Sequence, residues 1–247
     1  MKAYNRAMKA DMDLRAVYYI GGQRRGVYDD MIDKLASYIK RRINNKRQTV
    51  IVITGRTGTG KSTCAIQLAR RIDPEWELED RYIYGADDLR DLLKAGRGHR
   101  SINLFDEGSV SFNSLKSNAR DDRDMVVLLD ILRSWEMTTL ICIPSFYDLN
   151  KRIREHLVDI WIHCPEKPLI QGKDARGYFE AYAPSMAQWS DKTYWNFLGA
   201  GKFSPLPHEL DEIYQQIKYD HQMRQVREFI DGPQKKTRRK KEEGEDE

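Results

Sequence analysis

One octapeptide limits what this chain can fold into. Residues Gly55, Arg56, Thr57, Gly58, Thr59, Gly60, Lys61 and Ser62 fit the pattern G-x-x-x-x-G-K-[ST]. The flanks supply the context that the pattern needs. Thr49-Val50-Ile51-Val52-Ile53-Thr54 is β-branched and nearly all apolar, which predicts a strand buried on both faces, as in the middle of a parallel sheet. Residues 61–71 read as a helix, stopped by Asp73-Pro74. Each residue type has a task in such a loop. The glycines let the backbone wrap closely and turn its N–H groups toward phosphate oxygens. The N-terminus of the following helix adds partial positive charge. Lys61 can reach the β and γ phosphates, and the Ser62 hydroxyl can ligate Mg²⁺. The loop with Thr63 is therefore the expected nucleotide-binding segment, and ATP and Mg²⁺ are the expected cofactors.

The rest of the chain is read around that anchor. Apolar residues at Tyr28, Met31, Ile32, Leu35, Ile39 and Ile43 have helical spacing, with Lys and Arg between them. Residues 1–26 carry only weak signals, with Gly21-Gly22 as a turn. Downstream, 81–84 reads as a strand, 86–95 as a helix and 102–105 as a strand. A polar stretch at 108–123 and an amphipathic helix from Met125 to Trp135 come next. Residues 138–143 read as a strand, 149–157 as a helix and 158–162 as a strand. Strand and helix alternate from 49 to 164, which implies an α/β domain with a mainly parallel sheet. Beyond it, 169–172 and 176–181 suggest a hairpin around Lys173-Asp174, and 209–230 a helix. The aromatics Trp189, Tyr194, Trp195 and Phe197 read as packing in the last layer, with base stacking as the alternative.

Two further places carry candidate chemistry. The strand Ile102-Asn103-Leu104-Phe105 ends in Asp106-Glu107. A carboxylate there can hold Mg²⁺ through water opposite Ser62, the role expected of Asp106. Glu107, one residue on, is placed to polarise an attacking water as general base. Ser145, after the 138–143 strand and Pro144, is either a γ-phosphate sensor or an ordinary turn residue. Arg152 and Arg154 are candidates for an arginine finger, supplied by a neighbouring subunit and stabilising charge on the transferring phosphoryl group. Arg133 is a weaker candidate for the same part.

Charge and cysteine content bound the partners and the setting. The chain has 247 residues and a formal net charge of +4, but its basic residues cluster. One cluster is Lys40, Arg41, Arg42, Lys46 and Arg47, and another runs from 235 to 241. Such clusters attract phosphate backbones or else form solvated surface. From Pro233 onward the composition is basic and then acidic, without apolar residues, and predicts a disordered tail. Three cysteines without a spaced framework argue against a disulfide scaffold and for a reducing compartment. The polar N-terminus lacks an apolar signal core and no run has the length of a membrane span, so a cytoplasmic setting is expected.

The glycine-rich loop, the strand ending in Asp106-Glu107, and the segment Leu140-Ile-Cys-Ile-Pro-Ser-Phe-Tyr-Asp-Leu-Asn-Lys-Arg-Ile-Arg154 with its following strand resemble the FtsK–HerA group of P-loop ATPases. The likeness spans residues 48–165 and is nearest to the Zot-like and packaging-type ATPases of phages, archaeal viruses and plasmids. It implies a three-layer P-loop NTPase with a mainly parallel, RecA-like sheet. It also implies a homo-oligomeric ring acting on DNA, partner proteins of viral or plasmid origin, and the host cytoplasm as the setting if viral. Carried over by position, Lys61 and Ser62 bind phosphate and Mg²⁺, Asp106 and Glu107 form the Walker B pair, Ser145 is the sensor, and Arg152 or Arg154 the finger. Many members of the group carry Gln at the sensor position, where this chain has Ser145. The expected division is an N-terminal extension with a basic helix over 1–48, an ATPase domain over 49–205, a helix over 206–232 and a charged tail over 233–247. Two other classes fit the same loop: a small-molecule kinase with 108–124 as its lid, and an ATP-bound assembly scaffold.

Overall fold

The computed structural model describes residues 16–20, 23–28, 30–84, 86–96, 100–106, 134–149, 151–165, 169–170, 173–174, 177–186 and 193–231. The chain divides into two compact units, Met1–Leu206 and Pro207–Glu247. In chain order the first unit has strands β1 (Ala16–Ile20) and β2 (Gln23–Tyr28), helix α1 (Met31–Asn44), strand β3 (Thr49–Thr54) and helix α2 (Lys61–Ile72). A short helix α3 (Leu78–Arg81), strand β4 (Tyr82–Ile83), helix α4 (Ala86–Lys94) and strand β5 (Ile102–Phe105) follow. Strand β6 (Thr138–Ile143), a 3₁₀ turn (Phe146–Asp148), helix α5 (Lys151–His156) and strand β7 (Ile160–His163) complete the alternating part. The small pair β8 (Leu169–Ile170) and β9 (Lys173–Asp174) precedes the long strands β10 (Tyr178–Met186) and β11 (Thr193–Lys202). The second unit is described as one helix, α6 (His208–Asp231).

Nine strands form one sheet in the order β1-β2-β11-β10-β7-β3-β6-β5-β4. The five from β7 to β4 are mutually parallel. Strand β3 lies between β7 and β6, and all six of its residues are buried. Its alternation divides the core in two, because successive side chains point to opposite faces. Val50 and Val52 belong to one cluster with Ile141, Ile143 and Phe105 from the sheet, and Leu89, Leu92, Phe146, Leu149 and Ile153 from the elements that cover it. Ile51 and Ile53 face the other way, in register with Leu140, Cys142, Ile160 and Ile162. There α2 covers the sheet with its buried stripe Cys64, Ala65, Ile66, Leu68, Ala69 and Ile72. The Cys64 thiol meets that of Cys164 beside Cys142, and this contact, together with burial, pushes its pKa up. Each fully buried Ile or Leu in these layers contributes about 1.5–3 kcal/mol. The result is the expected three-layer α/β fold of P-loop type.

Helix α1 packs on the same side and is tied at both ends. Arg71 of α2 donates to Asp33 at 2.8 Å. Arg42 donates to Thr49 Oγ1 at 2.9 Å, to the Gln48 carbonyl at 3.0 Å and to Asp159. Asp159 in turn accepts the Val50 N–H at 2.9 Å.

The sheet differs from expectation on the side beyond β7. The hairpin predicted between 169–172 and 176–181 does not form: Lys173-Asp174, expected as its turn, is strand β9, which pairs with β8. Residues from 178 onward instead form β10, which pairs antiparallel with β7 and with β11. Pro184 within β10 hides this strand from a propensity reading, since proline is confined to edges or breaks. The weakly signalled N-terminus supplies β1 and β2, with Gly21-Gly22 between them. The predicted polar stretch 108–123, the body of the helix from Met125, and the tail from Pro233 lie outside the described residues.

Candidate nucleotide site

Thr54 ends β3, and the backbone turns at once. The Gly55 N–H donates to the Pro144 carbonyl past the end of β6 at 3.2 Å, and the Cys164 N–H donates to the Thr54 carbonyl past β7 at 2.7 Å. The loop is thus pinned from both neighbouring strands at the carboxyl end of the sheet. Gly55 has φ +149°, and a Cβ there would stand 2.3 Å from the Cys164 carbonyl oxygen, so only glycine fits. Gly58 and Gly60 also have positive φ. Gly60 leads directly into α2.

The side chains of the loop close it on itself. Thr59 Oγ1 donates to the Arg56 carbonyl at 2.9 Å, and Lys61 Nζ to the same oxygen at 3.0 Å. The Lys61 ammonium carries three donors, so this contact leaves capacity for phosphate oxygens. Arg56, Thr57 and Gly58 are exposed at the tip, while Thr59, Gly60, Lys61, Ser62 and Thr63 are half-buried.

Ser62 and Asp106 meet. Ser62 Oγ donates to Asp106 Oδ1 at 2.8 Å. Asp106 is 2 % exposed and its other oxygen accepts from the Tyr82 hydroxyl at 3.2 Å. Sheet parity explains the meeting. Leu104 pairs with Leu140, which pairs with Ile51, so Leu104 faces the α2 side. Asp106 lies two residues on and continues toward that side, where α2 presents its second residue, Ser62. A hydroxyl and a carboxylate side by side are hard oxygen donors that suit Mg²⁺.

Strand β6 lies between β3 and β5, so Pro144 and Ser145 emerge between the loop and the strand that leads to Asp106. Ser145 caps the 3₁₀ turn: its Oγ accepts the Tyr147 N–H at 3.3 Å, and its own N–H donates to Asp148 Oδ2 at 3.0 Å. The hydroxyl still carries its proton. On α5, the Arg154 guanidinium lies 4.9 Å over the exposed Tyr147 ring. Arg152 has a place on α5 and its side chain is outside the described set. Glu107 and Arg133 lie outside the described residues.

A second polar group sits behind the loop and was not foreseen. Thr54 Oγ1 receives the Trp161 indole N–H at 2.8 Å and contacts His163 Nδ1 at 3.1 Å. His163 pairs in register with Glu180, which is 3 % exposed and accepts the Tyr182 hydroxyl. Burial lowers the pKa of His163, and the Glu180 carboxylate offsets part of that. Trp161 stacks between Phe146 and Tyr182 at 4.7 Å from each, and meets Trp195 edge-on. Trp195 and Phe197 thus pack as expected, whereas Tyr194 is 53 % exposed.

No known family model matches the chain, and no curated protein sequence does. Solved structures give low-identity likenesses. The genome packaging NTPase B204 of Sulfolobus turreted icosahedral virus 2, in complex with ATP-gammaS, is 13 % identical over 66 % of this chain and 100 % of its own, with a TM-score of 0.38. The Aeropyrum pernix ORC2 protein is 17 % identical over 56 % of this chain and 47 % of its own, with a TM-score of 0.37. A KaiC-like protein of Pyrococcus horikoshii is 15 % identical over 63 % of this chain and 89 % of its own, with a TM-score of 0.34. Among the described residues no helix is long and apolar enough to cross a membrane.

Proposed function

We propose that this chain binds ATP with Mg²⁺ on the 55–63 loop and hydrolyses it to move DNA, in packaging or translocation, for a virus or plasmid. The observation that carries the reading is the 2.8 Å hydrogen bond between Ser62 and buried Asp106 beside a glycine loop pinned to two strands. Loop amides, the α2 N-terminus and Lys61 would hold the β and γ phosphates. Ser62 would hold Mg²⁺ directly and Asp106 through water. The ion, when bound, neutralises phosphate charge. Glu107 is assigned the general base, Ser145 the sensor, and Arg154 or Arg152 the finger reaching a neighbouring copy in a ring. Lys40, Arg41, Lys46 and Arg47 are exposed and support an electrostatic contact with DNA; Arg42 turns inward to Asp159.

The test is ATP turnover with and without double-stranded DNA at low salt, read beside mass in solution. Wild type is expected to form an oligomer and to hydrolyse faster on DNA. Lys61→Ala should lose nucleotide binding. Glu107→Gln should keep it and lose turnover by about 10²–10⁴-fold. Turnover in wild type no better than in Glu107→Gln would favour a scaffold. ADP release driven by a metabolite without DNA would favour a kinase.

A further inference from the structure

We infer that Tyr82 is a positioning residue for the magnesium site, a deeper reading that rests on the ATPase proposal above. The argument begins with register. Tyr82 pairs with Leu104 across β4 and β5, so its side chain shares a face with Leu104 and, two residues on, with Asp106. Its ring is 7 % exposed, and its hydroxyl donates to Asp106 Oδ2 at 3.2 Å. Ser62 donates to Oδ1 of the same carboxylate at 2.8 Å. The two oxygens of one buried carboxylate are therefore held from opposite sides, one by the expected metal ligand and one by the outermost parallel strand.

This geometry fixes the rotation of the carboxylate about its last bond. With Oδ2 held by Tyr82, Oδ1 is aimed at Ser62, the residue that would hold the cation. Without that hold, Oδ2 loses a donor and the orientation that presents Oδ1 to Ser62 is less strongly favoured. Partners that orient a metal-site carboxylate typically matter by about 10–100-fold in metal affinity. Tyr82 touches neither phosphate nor cation in this scheme and acts through Asp106.

Tyr82→Phe removes the hydroxyl and keeps the ring. Binding of a fluorescent ATP analogue is measured against Mg²⁺ concentration and again in EDTA. The Mg²⁺ concentration for half-maximal enhancement is expected to rise about 10-fold, with nucleotide affinity in EDTA unchanged. Asp106→Asn alone should weaken the Mg²⁺ response, and adding Tyr82→Phe to it should change nothing more, since both act through one group. Three results would overturn the inference: a wild-type Mg²⁺ response in Tyr82→Phe, equal weakening with and without Mg²⁺, or additive effects with Asp106→Asn. If wild type itself binds nucleotide without any response to Mg²⁺, the reading of the whole site falls, and the two failures are told apart by which protein shows them.

Discussion

His163 stands where three strands present polar side chains behind the glycine loop. Its Nδ1 is 3.1 Å from Thr54 Oγ1, the residue before Gly55, and Glu180 faces it in register from β10. Burial holds its pKa below the ordinary value, with Glu180 acting against the shift. The folded chain thus takes up a proton less readily than the unfolded one, whose histidine titrates near 6.5. Stability from this group is complete above about pH 6.5 and declines as pH falls from there toward the lowered folded value. His163→Gln is expected to flatten that acid-side decline, read as urea midpoints from about pH 5 to about pH 8. An unchanged pH dependence would remove His163 as its source. A motif or a strand end marks Lys61, Ser62 and Asp106 as candidates in the sequence. No such mark falls on Tyr82 or Glu180. Their partners are chosen by cross-strand register, and register is set by the assembled sheet rather than by local pattern.

At the scale of elements, the basic stretch at the end of α1 resolves into two groups. Arg42 turns inward and bonds Thr49, Gln48 and Asp159, while Asp159 also accepts the Val50 N–H. This cluster joins the end of α1 to the starts of β3 and β7, and its side chains are only 20 % and 28 % exposed. Asp159→Ala leaves a part-buried guanidinium and a backbone donor without this partner, which is expected to cost about 2–3 kcal/mol. Reversible urea unfolding checks it, and a loss within about 0.5 kcal/mol would reduce the pair to ordinary surface charge. A charge run in sequence does not say which member is inward, because that follows from helix phase against the sheet. The core strands β3, β5 and β6 were legible for the opposite reason: burial on two faces leaves continuous apolar runs. Strands β1, β2 and β10 carry arginines, a proline or paired tyrosines, and only their pairing partners make them strands.

For the whole molecule, the open question is whether one copy completes its own site. Within the described residues of the chain, the loop, Ser62 and Asp106 converge, while the Arg154 guanidinium lies 4.9 Å over the exposed Tyr147 ring. A half-buried arginine held over an exposed ring suits service to a neighbour in a head-to-tail ring, where each site is built from two copies. That arrangement has a consequence that separates it from service within one copy. Lys61→Ala disables the site of its own chain but retains Arg154 to lend. In such a ring Arg154→Ala would disable the site of the chain it serves but retain Lys61. Each variant alone is expected to be inactive. Mixed in equal amounts and allowed to exchange subunits, about a quarter of interfaces combine an intact loop with an intact arginine, so turnover should return to about that fraction. Mixed assemblies that form, by mass, yet stay as inactive as either parent would place Arg154 within its own copy or outside the chemistry altogether.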